Sequence, residues 1–181
     1  MIALPSRAML LALTTSAVFA TPAPRQTACA TLDYSDKFTL NAIYADGSGS
    51  VPLKFVDSGT VPHVGWALLT ACPSCKSSFA YSTLASGVWH PYASEYQKPV
   101  SWPLVAGESP SFISEYPYPT GWAGYCVTDD GLLGVGDDAG QWSLCTNSTS
   151  NRLDVVYSPV ETHAHYVAQD CTAVTIQLVD V

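Results

Sequence analysis

Six cysteines constrain this chain more than any other feature: Cys29, Cys72, Cys75, Cys126, Cys145 and Cys171. What they become depends on the compartment. The chain opens MIALPSRAMLLALTTSAVFATPAPRQ, in which Arg7 precedes an apolar run ending in the small-residue site Val18-Phe19-Ala20. That layout predicts a secretory signal peptide over residues 1–20, cleaved after Ala20. The run is shorter than the roughly 18 apolar residues of a transmembrane helix, and no later segment reaches that length. The final AVTIQLVDV lacks the polar spacer and hydrophobic tail of a lipid-anchor signal. A secreted, extracellular protein is therefore expected. All six cysteines follow the leader, and an even number in an oxidising compartment reads as three disulfides. Fifteen connectivities remain open from sequence alone.

Cys72 and Cys75 in LLTACPSCKSSF form a Cys-x-x-Cys pair, a spacing shared by redox centres, half-zinc sites and local staples. The outside of a cell supplies no reducing partner, and no helical start follows the motif. A zinc site needs two more Cys or His ligands, and none is near in sequence. The pair is expected to bridge to itself and clamp a turn, contributing less entropic stabilisation than a longer loop.

Beyond the leader, fifteen acidic residues face six basic ones, a net charge near −9. Such a surface disfavours nucleic acid and anionic membranes. It suits an acidic medium or a polysaccharide matrix. Charged residues are only 12% of the chain, while Ser, Thr, Gly, Pro and aromatics abound. That is the composition of a β-rich domain, neither disordered nor helical.

Hydrophobic patterning agrees. Residues 21–28 are a short Pro-rich lead, and residues 29–181 read as one domain. Lys37–Ala45 ends at the turn residues DGSGS, and Val51–Val56 returns as a partner strand. Val64–Ala71 is an apolar run, either a strand or one buried helical turn. SSFAYSTL and SGVWHPY are two further β-like pieces. Tyr96–Trp122 carries five prolines, which exclude central strands and helix interiors, so loops and edge strands are expected there. GWAGYCVTDDGLLGVG reads as strand, Asp-Asp-Gly turn, strand. GQWSLCTN and RLDVVYSP follow as strands, and CTAVTIQLV alternates Ala173, Thr175 and Gln177 against Val174, Ile176 and Leu178. Short strands at this spacing predict an all-β, single disulfide-stapled domain, a β-sandwich or a β-trefoil-like barrel. If Cys126 and Cys145 flank the Asp-Asp-Gly turn on neighbouring strands, they can bridge. Cys29 and Cys171 then tie the first strand to the last.

Few residues carry obvious chemistry. GVGDDAG lies between strands and opens no helix, so it binds no pyrophosphate. Asp129, Asp130, Asp137 and Asp138 could offer oxygens to calcium, but not at EF-hand spacing, and Asp in turns usually caps its own backbone. His163 and His165 in THAHY would share a face in a strand and could bind copper or zinc with a third ligand, His63 or His90. The segment reads as a loop, so solvent-exposed histidines are expected and no metal is assigned. No Gly-x-Ser-x-Gly elbow occurs, and oxidised cysteines cannot act as nucleophiles. The chain after the leader does not start with His, which excludes a copper brace. Two facing carboxylates would suffice for a glycosidase, and Glu95, Glu108 and Glu115 are the candidates in the aromatic region. Asn147-Ser148-Thr149 is an N-glycosylation sequon, expected on a surface turn.

Two blocks, Cys29–Gly49 with FTLNAIYADGSG and the later YCVTDDGLLGVGDDAGQWSLC…LDVVYSP…QDCTAVTIQLV, carry a family resemblance. Together they resemble the C-terminal domain of fungal Pir-type cell-wall proteins, with Cys29, Cys126, Cys145 and Cys171 in the positions of its four cysteines. The same order is similar to PhiA-type and IgE-binding-type secreted fungal surface proteins. The chain lacks the Gln-rich repeats through which Pir proteins attach to glucan, and Cys72, Cys75 and the Pro-rich middle have no counterpart. The resemblance implies a secreted, cysteine-stapled β domain associated with a fungal cell surface, with no known catalytic residues to transfer, and no cofactor is expected.

A non-enzymatic cell-surface or effector-like protein, associated with cell-wall polysaccharide, is therefore expected. Its binding face is expected among Trp89, Tyr92, Trp102, Tyr116, Tyr118 and Trp122, because sugar rings stack on aromatic faces. The competing class is a secreted hydrolase of wall polysaccharide with two carboxylates about 5–10 Å apart.

Overall fold

A computed structural model describes residues 28–61, 64–77, 79–94 and 98–181. The leader, most of the Pro-rich lead, His63 and Glu95 lie outside them. The strands are β1 (Tyr34–Tyr44), β2 (Ser50–Pro52), β3 (Lys54–Val61), β4 (Val64–Thr70), β5 (Tyr81–Ala85), β6 (Val88–Tyr92), β7 (Val100–Ser101), β8 (Ser111–Glu115), β9 (Tyr125–Val127), β10 (Leu133–Val135), β11 (Trp142–Thr146), β12 (Leu153–Tyr157) and β13 (Thr172–Asp180). Among the described residues the helical element is a single 3₁₀ turn at Ala168–Asp170.

The main sheet is antiparallel and runs β6-β5-β1-β13-β11-β12-β4-β8-β7. β2 and β3 are one strand broken at Leu53: β2 pairs with β1, and β3 leaves it to pair with β4. That transfer folds the sheet over on itself. The path stays open at β6 and β7, so the fold is sandwich-like and no closed barrel forms. At the open ends the Trp89 N–H donates to the Ser101 hydroxyl, a side-chain bond in place of a ladder.

Alternation decides which residues meet inside. Phe38, Leu40 and Ala42 of β1 and Val174, Ile176 and Leu178 of β13 point to the core, as the β13 pattern predicts. Leu84, Trp89, Phe112, Trp142, Leu144 and Val155 complete it from the neighbouring strands. Val64–Ala71, ambiguous in sequence, is strand β4, with Ala67 and Leu69 inward. β8 fits between Pro110 and Pro117 and lies between β4 and β7, so the prolines bracket a paired strand. At one edge the Tyr34 hydroxyl donates to Asp180 at 2.6 Å, tying β1 to β13. That bond, with burial, pushes the Tyr34 phenol up to about 12.

The Asp-Asp-Gly turn closes a hairpin of β9 and β10, in a separate two-stranded sheet. Gly131 sits there at φ +72° and its N–H donates to Thr128 O, a conformation glycine adopts without strain.

The three bridges are Cys29–Cys126, Cys72–Cys75 and Cys145–Cys171. This corrects the pairing of Cys126 with Cys145 and of Cys29 with Cys171. β11 does not continue the β9–β10 hairpin but inserts between β12 and β13. Cys126 faces the lead segment instead, where the N–H groups of Ala30 and Thr31 bond to Val127 O. Cys171 directly precedes β13, and Leu144 pairs with Thr172, so Cys145 and Cys171 meet with Cα atoms 4.3 Å apart. The Cys72–Cys75 turn is held further by Lys54, whose ammonium donates to the carbonyls of Pro73 (2.6 Å) and Cys75 (3.2 Å).

Candidate functional site

The outer face of β12-β4-β8-β7 carries the residues of interest. Because Ala67 and Leu69 face the core, Trp66, Leu68 and Thr70 face outward. Across the ladder Trp66 pairs with Ile113, which pairs with Val100, and Leu68 pairs with Ser111. These rows set an aromatic shelf beside a cavity of mixed lining.

On the shelf, Trp102 stands edge-on to Trp66, ring centres 5.2 Å apart, and is 43% exposed. A hollow of about 210 Å³ opens beside it, lined by Val100, Trp102, Ile113, Pro119, Gly121 and Trp122. Trp122 is half-buried, with its ring edge-on to Tyr125 at 5.2 Å. Tyr116 and Tyr118 are both exposed, 6.0 Å apart, on the segment leading to the hollow. The Lys98 ammonium lies 5.5 Å over the Tyr118 ring.

Of the six aromatics expected to form a binding face, Trp102 and Trp122 line one hollow, and Tyr116 and Tyr118 are exposed on the segment that precedes Trp122. Tyr92 does not join them; it stacks on Tyr81 at 4.6 Å on the β5-β6 end of the sheet. Trp89 is corrected outright. It is fully buried among Phe55, Phe112 and Tyr125, with ring centres 4.8 to 5.6 Å away. Its partner across the ladder is the inward Leu84, and this register sends Trp89 in and His90 out. Among the described residues the Trp89 indole N–H and the Tyr125 hydroxyl find no hydrogen-bond partner, and burial pushes the Tyr125 phenol upward. Trp66 was not singled out in sequence; its place in the outward register of β4 is the signal that finds it.

A cavity of about 150 Å³, with both apolar and polar lining, lies between this face and the segment 158–171. That segment is clamped by Cys145–Cys171 and by a small apolar cluster of Cys145, Val156 and Tyr166. The Tyr166 hydroxyl donates to Gly107 O at 3.1 Å and accepts from the Val160 N–H. Gly107 sits at φ +90°, and a Cβ there would meet Val160 at 2.9 Å, so this junction needs glycine. The fold thus brings Glu108 to His163, with 3.6 Å between Oε1 and Nε2. The His163 Nδ1 accepts the His165 N–H at 3.3 Å, which leaves Nε2 as the ring nitrogen near Glu108. His163 also stacks on Tyr166 at 4.3 Å.

Asp154, buried in the cavity wall, accepts from Arg152 Nε (2.5 Å) and Nη2 (3.1 Å) and from the Asn147 amide (3.0 Å). The Asn147 Oδ1 accepts the N–H groups of Thr149 and Ser150, so the sequon is a turn whose amide points inward at Asp154.

The remaining candidates are dispersed. Among the described residues no group of three His, Cys, Asp or Glu converges to hold a metal. His90 faces Thr83 across β5-β6, where burial lowers its pKa. Asp138 accepts the Gly140 N–H and the Gln141 amide, a turn-capping role. Glu115 is exposed at the end of β8. Among the described residues no helix is long and apolar enough to cross a membrane.

Comparison with known protein families, curated proteins and solved structures finds no match for this chain.

Proposed function

We propose that the chain is a secreted, non-catalytic surface protein that binds neutral cell-wall polysaccharide on its Trp66–Trp102–Trp122 shelf. The shelf itself carries this reading: Trp102 and Trp122 line a shallow hollow, Trp66 stands edge-on to Trp102, and Tyr116 and Tyr118 are exposed on the segment that precedes Trp122. Aromatic planes take up sugar rings by the stacking that serves other flat or ring-shaped ligands. The low charge density favours an uncharged partner, and the net negative charge disfavours polyanions. Three disulfides suit an oxidising, extracellular-type environment. A pull-down on insoluble chitin and β-glucan tests the reading. Retention that falls in Trp102→Ala supports it, and full passage of the wild-type protein through both matrices removes it.

The hydrolase reading draws on one observation, that Glu108 and Asp154 line the same cavity. Asp154 accepts from a guanidinium and an amide, bonds that hold its carboxylate against the cavity wall as an acceptor. The cavity suits holding a sugar better than cleaving one. Release of reducing ends from β-glucan, abolished in Glu108→Gln, would reverse that preference.

A further inference from the structure

We infer that the cavity beneath the 158–171 segment is a subsite for one neutral pyranose unit, the terminal unit of a glycan lying on the shelf. This rests on the shelf reading and extends it. The walls match the two sides of a sugar ring. Leu68, Val156 and the Cys145 sulfur offer an apolar floor, while Glu108, Ser109, Ser111 and Asp154 offer hydroxyl-binding groups.

Size limits the occupant. A volume of about 150 Å³ is below the roughly 300–1,000 Å³ of drug-sized ligand sites, so one ring fits and an oligomer does not. Charge limits it further. Arg152 is already engaged by Asp154, and Glu108 adds a second carboxylate to the lining, so an anion gains no clear partner. A hydroxyl does. A carboxylate has about four lone-pair sites, and Asp154 spends three on Arg152 and Asn147. A sugar O–H donating to Asp154 or Glu108 forms a charge-assisted bond.

Position connects the cavity to the shelf. Leu68 and Ser111 line the cavity, and Trp66 and Ile113 form the next outward row on the same two strands. Two residues of strand separate the rows by about 7 Å. A chain stacked on Trp66 and Trp102 therefore presents its end to the cavity.

The test is titration calorimetry of the full chain with laminarihexaose and N-acetyl-chitohexaose, beside retention on the insoluble polymers. The variants are Glu108→Gln and Ser111→Ala, in exposed or half-buried positions, with His163 ring proton shifts followed by NMR. The inference expects about tenfold weaker hexasaccharide binding in each variant. It also expects His163 ring proton shifts in the wild type on addition of the hexasaccharide. Hexasaccharide affinity that is equal in wild type and both variants, with His163 silent, overturns the subsite and leaves the shelf standing. Failure of the wild-type protein to bind polymer at all overturns the shelf and the subsite with it.

Discussion

Removing the disulfides one pair at a time should destabilise the protein in the order of the loops they close. Cys29–Cys126 spans 97 residues, Cys145–Cys171 spans 26 and Cys72–Cys75 spans 3. Loop-closure entropy of the unfolded chain then gives about 4.7, 3.5 and 1.6 kcal/mol at 25 °C. Each pair is replaced by Ala in a double variant and unfolded in guanidinium, with tryptophan fluorescence as the probe. The differences in midpoint, converted with a common slope, give the three losses. The Cys29–Cys126 variant is further exposed because its bridge pins the β9–β10 hairpin to the lead segment. Losing the most stability on removal of Cys72–Cys75 would refute the reasoning. So would peptide mapping that joins Cys126 to Cys145.

Three further outcomes follow from single residues. Trp89→Ala should cost about 3–5 kcal/mol as a core cavity, while Trp102→Ala stays within about 0.5 kcal/mol; thermal melts compare them directly. Gly134→Ala would place a Cβ 2.7 Å from the Cys29 sulfur and 3.0 Å from Asp138 O, so a loss of about 1–3 kcal/mol is expected in denaturant. Burial lowers the pKa of His90, so its contribution to stability is present above its ordinary value near 6.5 and is lost as pH falls below it. His90→Gln should flatten that acid limb in melts recorded from pH 8 to pH 4, and an unchanged limb would show that His90 does not set it.

What could be read from the sequence was local. The alternation of Val174, Ile176 and Leu178 survives intact in β13, because a half-buried strand writes its register into its own residues. The Asp-Asp-Gly turn and the Cys72–Cys75 clamp likewise need only neighbouring residues. The other two bridges depend on which strands the sheet interposes, and β11 inserting beside β13 reassigns both. Trp89 and Trp66 show the same limit for a site. Each sits in a short apolar run whose inward face is fixed by ladder partners far away in sequence. The cavity was the least legible, since Glu108 and His163 come from two loops joined by tertiary bonds such as that from the Tyr166 hydroxyl to Gly107 O.

The central claim is that Trp102 and its neighbours hold a sugar. Titration calorimetry of soluble β-glucan and chitin oligosaccharides into the wild-type protein and Trp102→Ala tests it most directly. The account predicts saturable binding for the wild type and about tenfold weaker binding for the variant, by analogy with stacking on other aromatic platforms, at unchanged melting temperature. Identical isotherms for the two proteins, or no heat from the wild type with any of the sugars, would contradict it.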